Sequence, residues 1–244
     1  LHPLFQHREE VNNVLLIIVT ADRGLAGAFN ANVIKLAEQA IRERFAEHHK
    51  AGKLFLACVG RKGYEHFARR GYQISGDFRG AFDKLDFRTA DEVASLAEHG
   101  FLDGRWDEVF VLYNEFKNTI SQNRIVEPFI PIPSERFLTP VMESELQHQN
   151  DSQSTMSNDP IYEPGVGEIL NILVPQFLNY KIWRILLESN ASEQGARMVA
   201  MDNATTNAED LLKDLKLSYN RARQAAITKE LIEITSGADA MEAG

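Results

Sequence analysis

A single cysteine, Cys58, among 244 residues leaves no internal disulfide and no multi-cysteine metal site. No apolar run exceeds the six residues of Val14–Val19, far short of the roughly 18 that a membrane-crossing helix needs. Positive charge is also in short supply. Against 35 Asp and Glu stand 26 Lys and Arg, a net charge of −9, whereas a general nucleic-acid binder is normally basic. His2 to Asn13 is polar and has no apolar core, so it does not read as a secretory signal. Leu1 is not an initiator methionine, and the expectation is that a further segment precedes it in the gene product.

Catalytic signals are equally sparse. There is no G-x-S-x-G, and none of the seven histidines stands in a His-x-x-x-His spacing. His48 and His49 fall at a helix end and read as a solvated pair, and the carboxylates are scattered. Cys58 lies inside the apolar run Leu54–Val59 and reads as a buried, inert thiol. We therefore expect no catalytic residue, no metal, no cofactor and no small-molecule substrate.

Proline and glycine are nearly missing from the last third of the chain. Between Glu168 and Thr235 the only Pro is Pro175 and the only Gly is Gly195, while apolar residues recur at helical spacing. One continuous helix of about 70 residues would span roughly 105 Å, several times the width of a domain built from the residues before it. Its apolar stripe is then too long for its own globule and calls for a partner helix or other chains. Ile169, Ile172, Leu173, Phe177, Ile182, Ile185 and Leu186 make the stripe at one end, and Leu211, Leu212, Leu215, Tyr219, Ala222, Ala226, Leu231 and Ile234 resume it. Small residues from Ala191 through Ala196 and Ala200 to Ala204 and Thr205 lie between them, where another helix could approach closely. The pattern suits a two-stranded coiled coil. Charge shifts as well: from Lys213 to Lys229 five cations face Asp214 alone, a basic collar within an acidic chain.

Ahead of that helix the pattern is different. Val14–Thr20 and Leu54–Val59 read as buried strands, Glu108–Asn114 and Arg124–Ile132 as two more, and Gln73–Phe78 as a weaker one. Helical spacing runs from Ala28 to His48 and from Lys62 to Arg70, the latter stopped by Gly71. A third helix is expected to start at a Thr89–Glu92 capping box and to end near His99–Gly100. Such alternation predicts a doubly wound, mostly parallel α/β sheet. The short link between the last two strands predicts an antiparallel edge hairpin. The expected division is an α/β domain over 1–142, a mobile loop and connector over 143–164, and the long C-terminal helix over 165–244. Glu143 to Pro160 carries four acids and no Lys or Arg, which is why it reads as a loop.

Two glycine turns invite a nucleotide-binding reading. In TADRGLAGAFN, Thr20 to Asn30, Gly24 and Gly27 give only G-x-x-G, without the glycine spacing of a dinucleotide fold. GRKG at Gly60–Gly63 lacks the rest of a phosphate-binding loop. A glycine turn that lets strand and helix approach closely is the competing reading. An α/β nucleotide-binding enzyme using the Gly24–Gly27 turn stands as the alternative function.

GARMVAMDNATTNA (Gly195–Ala208) and YNRARQAAITKELIEITSGA (Tyr219–Ala238) resemble the C-terminal helix of the gamma-subunit family of F-type ATP synthases. TADRGLAGAFN resembles that family's first strand, turn and helix, so the likeness runs from Val14 to the C-terminus. It implies a non-catalytic rotor shaft, in which the long helix pairs with an N-terminal helix as an antiparallel coiled coil inside a ring of alpha and beta subunits. By position, Arg223, Gln224, Thr228 and Glu230 would meet the catch region of beta, and Arg197 would lie in the middle of the shaft. Tyr162 and Glu163 would sit on the foot, facing the epsilon subunit and the membrane c-ring. The implied location is peripheral, on the cytoplasmic face of the bacterial inner membrane or, as the second choice, the matrix side of the mitochondrial inner membrane. The N-terminal helix is absent from this sequence. Ala26 stands where many relatives carry Cys, and the cysteine-bearing insertion of chloroplast relatives is missing.

Overall fold

The computed structural model describes residues 2–133, 137–143, 163 and 165–242. The expected loop at 143–160 falls mostly outside the described residues, as does Tyr162. Five strands form one sheet: β1 (Val14–Val19), β2 (Leu54–Val59), β3 (Ile74–Phe78), β4 (Glu108–Phe116) and β5 (Gln122–Ile130), in the order β3-β2-β1-β4-β5. All neighbours pair parallel except β4 and β5, which form the antiparallel hairpin at the edge. The helices are α1 (Phe29–Glu43), α2 (Ala46–Lys50), α3 (Arg61–Ala68), α4 (Phe87–Leu102) and α5 (Val166–Glu242).

The six residues of β1 are all buried because both faces of the sheet are covered. Their side chains alternate, as a strand's period of two requires. Val14, Leu16 and Ile18 join Val33, Ala37 and Ile41 of α1 and Phe67 of α3 on one face. Leu15, Ile17 and Val19 join Val93 and Ala97 of α4 and Leu178 and Ile182 of α5 on the other.

The helical run expected over 28–48 is broken. After Glu43 the chain turns at Arg44 and Phe45, and Phe45 packs into the core against Phe110 before α2 begins. The cap of α4 is also not the expected one. Asp86, extended at φ −136°, accepts a hydrogen bond from the Arg88 N–H, so the helix starts three residues before the Thr89 box. Gly71 does close α3 in the left-handed region, at φ +75°.

Close approach of backbones occurs at the second glycine turn instead of the first. A Cβ on Gly60 (φ +90°) would lie 2.0 Å from the Thr20 carbonyl oxygen, whereas one on Gly24 would meet only the end of Lys62 at 3.9 Å. Inside α4, Gly100 lets the buried Trp106 ring lie against the helix, with its indole N–H donating to the Ala97 carbonyl at 2.9 Å. Cys58 is fully buried, and burial together with Asp77 pushes its thiol up to about 12.

The chain forms two compact units, Leu1–Val199 and Ala200–Gly244. In the first, α5 is part of the core. Val174, Leu178, Ile182, Ile185 and Leu186 are buried on the sheet domain, while Ile172, Leu173 and Phe177 are exposed. Of the set expected from spacing, Ile182, Ile185 and Leu186 do pack on the sheet domain, whereas Val174 and Leu178 are buried in place of Leu173 and Phe177. In the second unit, the described side chains from Met201 onward are exposed. Among the described residues, no helix is long and apolar enough to cross a membrane.

Candidate functional site

Within Ala200–Gly244, Leu211, Leu215, Tyr219, Ile227, Leu231 and Ile234 are all more than two-fifths exposed. Most of them follow each other at three- or four-residue steps and so lie along one stripe of the helix. A run of exposed apolar side chains of this extent marks an interaction surface. Beside it stands the basic collar. Lys213 pairs with Asp210 at 3.1 Å and Lys229 with Glu233 at 3.8 Å. Among the described residues, Lys216, Arg221 and Arg223 have no ion-pair partner.

The residues singled out from the sequence divide between the two units. Arg223, Gln224, Thr228 and Glu230 are all exposed on one stretch of α5 in the second unit. The Thr228 hydroxyl donates to the Gln224 carbonyl oxygen at 2.9 Å, a back-bond within the helix that leaves only its lone pairs for a partner. The Arg223 guanidinium, the Gln224 amide and the Glu230 carboxylate remain available. Glu163 is exposed in the first unit, and Tyr162 lies outside the described residues.

Arg197 is used differently from what its place along the helix suggested. Its Nη1 donates to the Gly24 carbonyl oxygen at 2.7 Å, and its Nη2 donates to Glu193 one turn earlier. Ala196 packs beside it on Ala21, Ala26 and Phe29. The first glycine turn is therefore the seat of α5. Asn30 closes the same turn, accepting from the Ala21 N–H at 2.8 Å and donating to the Arg23 carbonyl at 3.2 Å.

The second turn is equally occupied. At the start of α3 the Arg61 N–H donates to Asp22, the Lys62 N–H to the Ala21 carbonyl and the Gly63 N–H to the Thr20 hydroxyl. The N–H groups of Gly80 and Phe82 also point at Asp22. These are the donors a phosphate would take at a helix N-terminus, and the Asp22 carboxylate, the Ala21 carbonyl and the Thr20 hydroxyl already hold them. Neither glycine turn supports the nucleotide-binding alternative. Among the described residues, no group of three or more His, Cys, Asp or Glu is placed to hold a metal ion.

A polar cluster that sequence reasoning missed fastens α5 to the edge hairpin. Glu127 of β5, only 2% exposed, accepts from the Tyr113 hydroxyl of β4 at 2.8 Å. It also binds Lys181 at 3.1 Å and Arg184 at 3.0 Å, both from α5. Lys181 donates further to the Pro128 carbonyl, and Arg184 to Glu188 at 2.8 Å. Burial lowers the Lys181 ammonium from its ordinary pKa, an effect that Glu127 opposes. Burial and the Glu127 charge push the Tyr113 phenol up, which keeps its proton in place as a donor. The available signal was one acid among the apolar residues Ile125–Ile130 of β5, with Lys181, Arg184 and Glu188 one turn apart on a single helix face.

A family model described as "ATP synthase" matches residues 1–241. The ATP synthase gamma chain of Salinibacter ruber is 56% identical over 241 residues, 99% of this chain and 78% of that one. That of Chloroherpeton thalassium is 48% identical over 243 residues, with the same coverage. Among solved structures, a chain of the Euglena gracilis mitochondrial ATP synthase assembly of OSCP, F1 and c-ring aligns with a TM-score of 0.67 at 20% identity. It covers 99% of this chain and 79% of that one. A chain from the Tetrahymena thermophila central stalk and c-ring aligns with a TM-score of 0.54 at 24% identity, covering 82% and 80%. These two likenesses bear on the fold: a mostly parallel five-stranded sheet with a long C-terminal helix. With the family model matched over nearly every residue and relatives about half identical across the whole length, the chain belongs to the family of ATP synthase gamma chains.

Proposed function

We propose that this chain is the central-stalk subunit of an F-type ATP synthase, coupling proton-driven rotation to ATP synthesis and hydrolysis at sites that other subunits hold. Gamma chains are the non-catalytic subunits of that complex, so the chain's part is mechanical. The observation that carries the proposal is the exposed apolar stripe with its basic collar in Ala200–Gly244, the surface of a helix built to be covered by other chains. An asymmetric shaft can bias identical catalytic subunits only through contacts that differ between rotor angles. Arg223, Gln224, Thr228 and Glu230 are the groups we assign to the beta subunits, as charge-assisted and amide hydrogen bonds.

The foot contacts are assigned to Tyr162 and Glu163, facing epsilon and the c-ring. Alpha subunits complete the ring around the shaft. In this assembly the subunit is peripheral to the membrane, on the cytoplasmic face of a bacterial inner membrane, and the domain division is a foot at 1–142, a connector at 143–164 and the shaft at 165–244. Arg197 belongs to the shaft's seat on the foot.

The test is the double substitution Arg223→Ala with Gln224→Ala in a complex reassembled with the whole gamma chain. Losing a charged hydrogen bond costs about 1.5–3 kcal/mol, roughly one to two decades in an equilibrium constant. Coupled synthesis and hydrolysis should fall substantially without vanishing. Lys62→Ala in GRKG is the control and should be silent. If the double variant is silent while Lys62→Ala abolishes turnover, the rotor assignment of these residues is wrong.

A further inference from the structure

Aliphatic contacts hold α5 against the sheet, but they do not define its angle well. Dispersion and hydrophobic burial are non-directional, so a helix can roll or slide slightly over Ile17 and Val111 while keeping most of its buried area. Hydrogen bonds weaken steeply with angle, and charge-assisted ones are the strongest kind. Four polar ties run along α5 within the first unit. Asn179 donates to Asp91 at 2.6 Å, Lys181 and Arg184 grip Glu127, Gln122 donates to the Ser192 carbonyl at 3.2 Å, and Arg197 reaches Gly24.

Glu127 is the centre of this set. Its carboxylate receives donors from the neighbouring strand through Tyr113 and from two positions of the helix, Lys181 and Arg184. Lys181 is bound in addition to the Pro128 carbonyl on the same strand. Rolling α5 about its axis carries both cations off the one buried carboxylate at the same time. Buried ion clusters are weak stabilisers compared with apolar packing of equal volume, and their best-attested use is to set register.

We propose that Glu127 is the torsional lock of this subunit, a positioning residue that fixes α5 against the sheet domain so that torque passes between them. The inference rests on the central-stalk reading. ATP hydrolysis needs only the shaft to turn within the catalytic subunits. Proton pumping needs the foot to turn with it against a load, and that is the step a loosened lock fails.

The experiment uses membranes from cells lacking their own gamma chain, supplied with the whole gamma chain, with ATP hydrolysis and proton pumping measured on one preparation. Two variants are compared: Glu127→Gln, and the triple Glu127→Leu with Lys181→Met and Arg184→Met, whose apolar side chains restore packing. For both, hydrolysis stays near wild type while protons pumped per ATP fall by at least about tenfold, the factor for one lost charged hydrogen bond. The triple variant should recover the thermal midpoint and still pump poorly, which a merely structural role would not produce. Pumping that recovers together with the midpoint, or that never falls, overturns the lock. Hydrolysis and pumping lost in parallel in both variants overturn it as well. If the wild-type chain restores neither activity, the central-stalk reading itself fails and the lock falls with it.

Discussion

Replacing Arg197 with methionine removes two interactions at the seat of α5 while keeping the side chain's length and a comparable helix propensity. The Gly24 carbonyl loses its donor at 2.7 Å, and Glu193 loses the guanidinium beside it. The two losses differ in weight. Gly24 is half-buried, so water can reach its carbonyl, and the cost there is near the low end for a lost hydrogen bond, about 1 kcal/mol. The Glu193 side chain is only 6% exposed. Leaving one member of a buried pair uncompensated costs about 3–5 kcal/mol. Arg197 itself is 18% exposed, which lets water relieve part of that, so about 4 kcal/mol in total is expected. Adding Glu193→Gln removes the stranded charge and should return most of the loss, leaving about 1–2 kcal/mol. The assay is urea unfolding followed by the fluorescence of Trp106 and Trp183, both of which lie in Leu1–Val199. A single variant within about 1 kcal/mol of wild type, the cost of the Gly24 hydrogen bond alone, would refute the reasoning, as would a double variant less stable than the single one.

Two further outcomes follow from the packing and the charges of the sheet domain. Gly100→Ala should destabilise by about 1–3 kcal/mol, because the new Cβ would stand 1.9 Å from the Trp106 ring; helix propensity alone predicts a gain of about 1 kcal/mol, so the sign of the change in thermal midpoint decides. Burial raises the Asp107 carboxyl, but the Asn13 and Asn12 N–H groups and the Arg8 guanidinium outweigh it and hold the pKa below the usual carboxylate value. A depressed folded-state pKa means stability that is present above the unfolded value, about 3.9, and is lost as pH falls through the folded one. Asp107→Asn should therefore lower stability at neutral pH and flatten its decline below about pH 4, measured by midpoints across an acid series.

Much of the framework was legible because it is local. The burial of both faces of β1 follows from its unbroken branched and aliphatic side chains. The edge hairpin follows from a link too short for a crossover, and the end of α3 from the freedom of Gly71 to take a positive φ. The great length of α5 follows from the near-absence of helix breakers after Glu168, and the exposed Leu211–Ile234 stripe from spacing alone. All of these depend on residues within a few turns of each other, so one stretch of chain carries the whole reason.

What tertiary structure decided lies in partners far apart in sequence. Whether Asp86 or Thr89 caps α4 depended on which side chain the incoming chain could aim at the helix. Gly60, not Gly24, turned out to need the missing side chain, because the Thr20 carbonyl passes beside it. Arg197 sits 173 residues from the carbonyl it holds, and Arg184 sits 57 from Glu127. No spacing rule reaches that far. The row of α5 that packs was settled the same way: Val174 and Leu178 face the sheet in place of Leu173 and Phe177 because the charged grip on Glu127 and the seat of Arg197 both fix the helix's rotation. Sequence by itself determined that α5 exists and that its far part carries an apolar stripe, exposed in this structure. Its angle on the sheet domain required the fold, since an apolar stripe specifies what is buried but only directional polar contacts specify how it is turned.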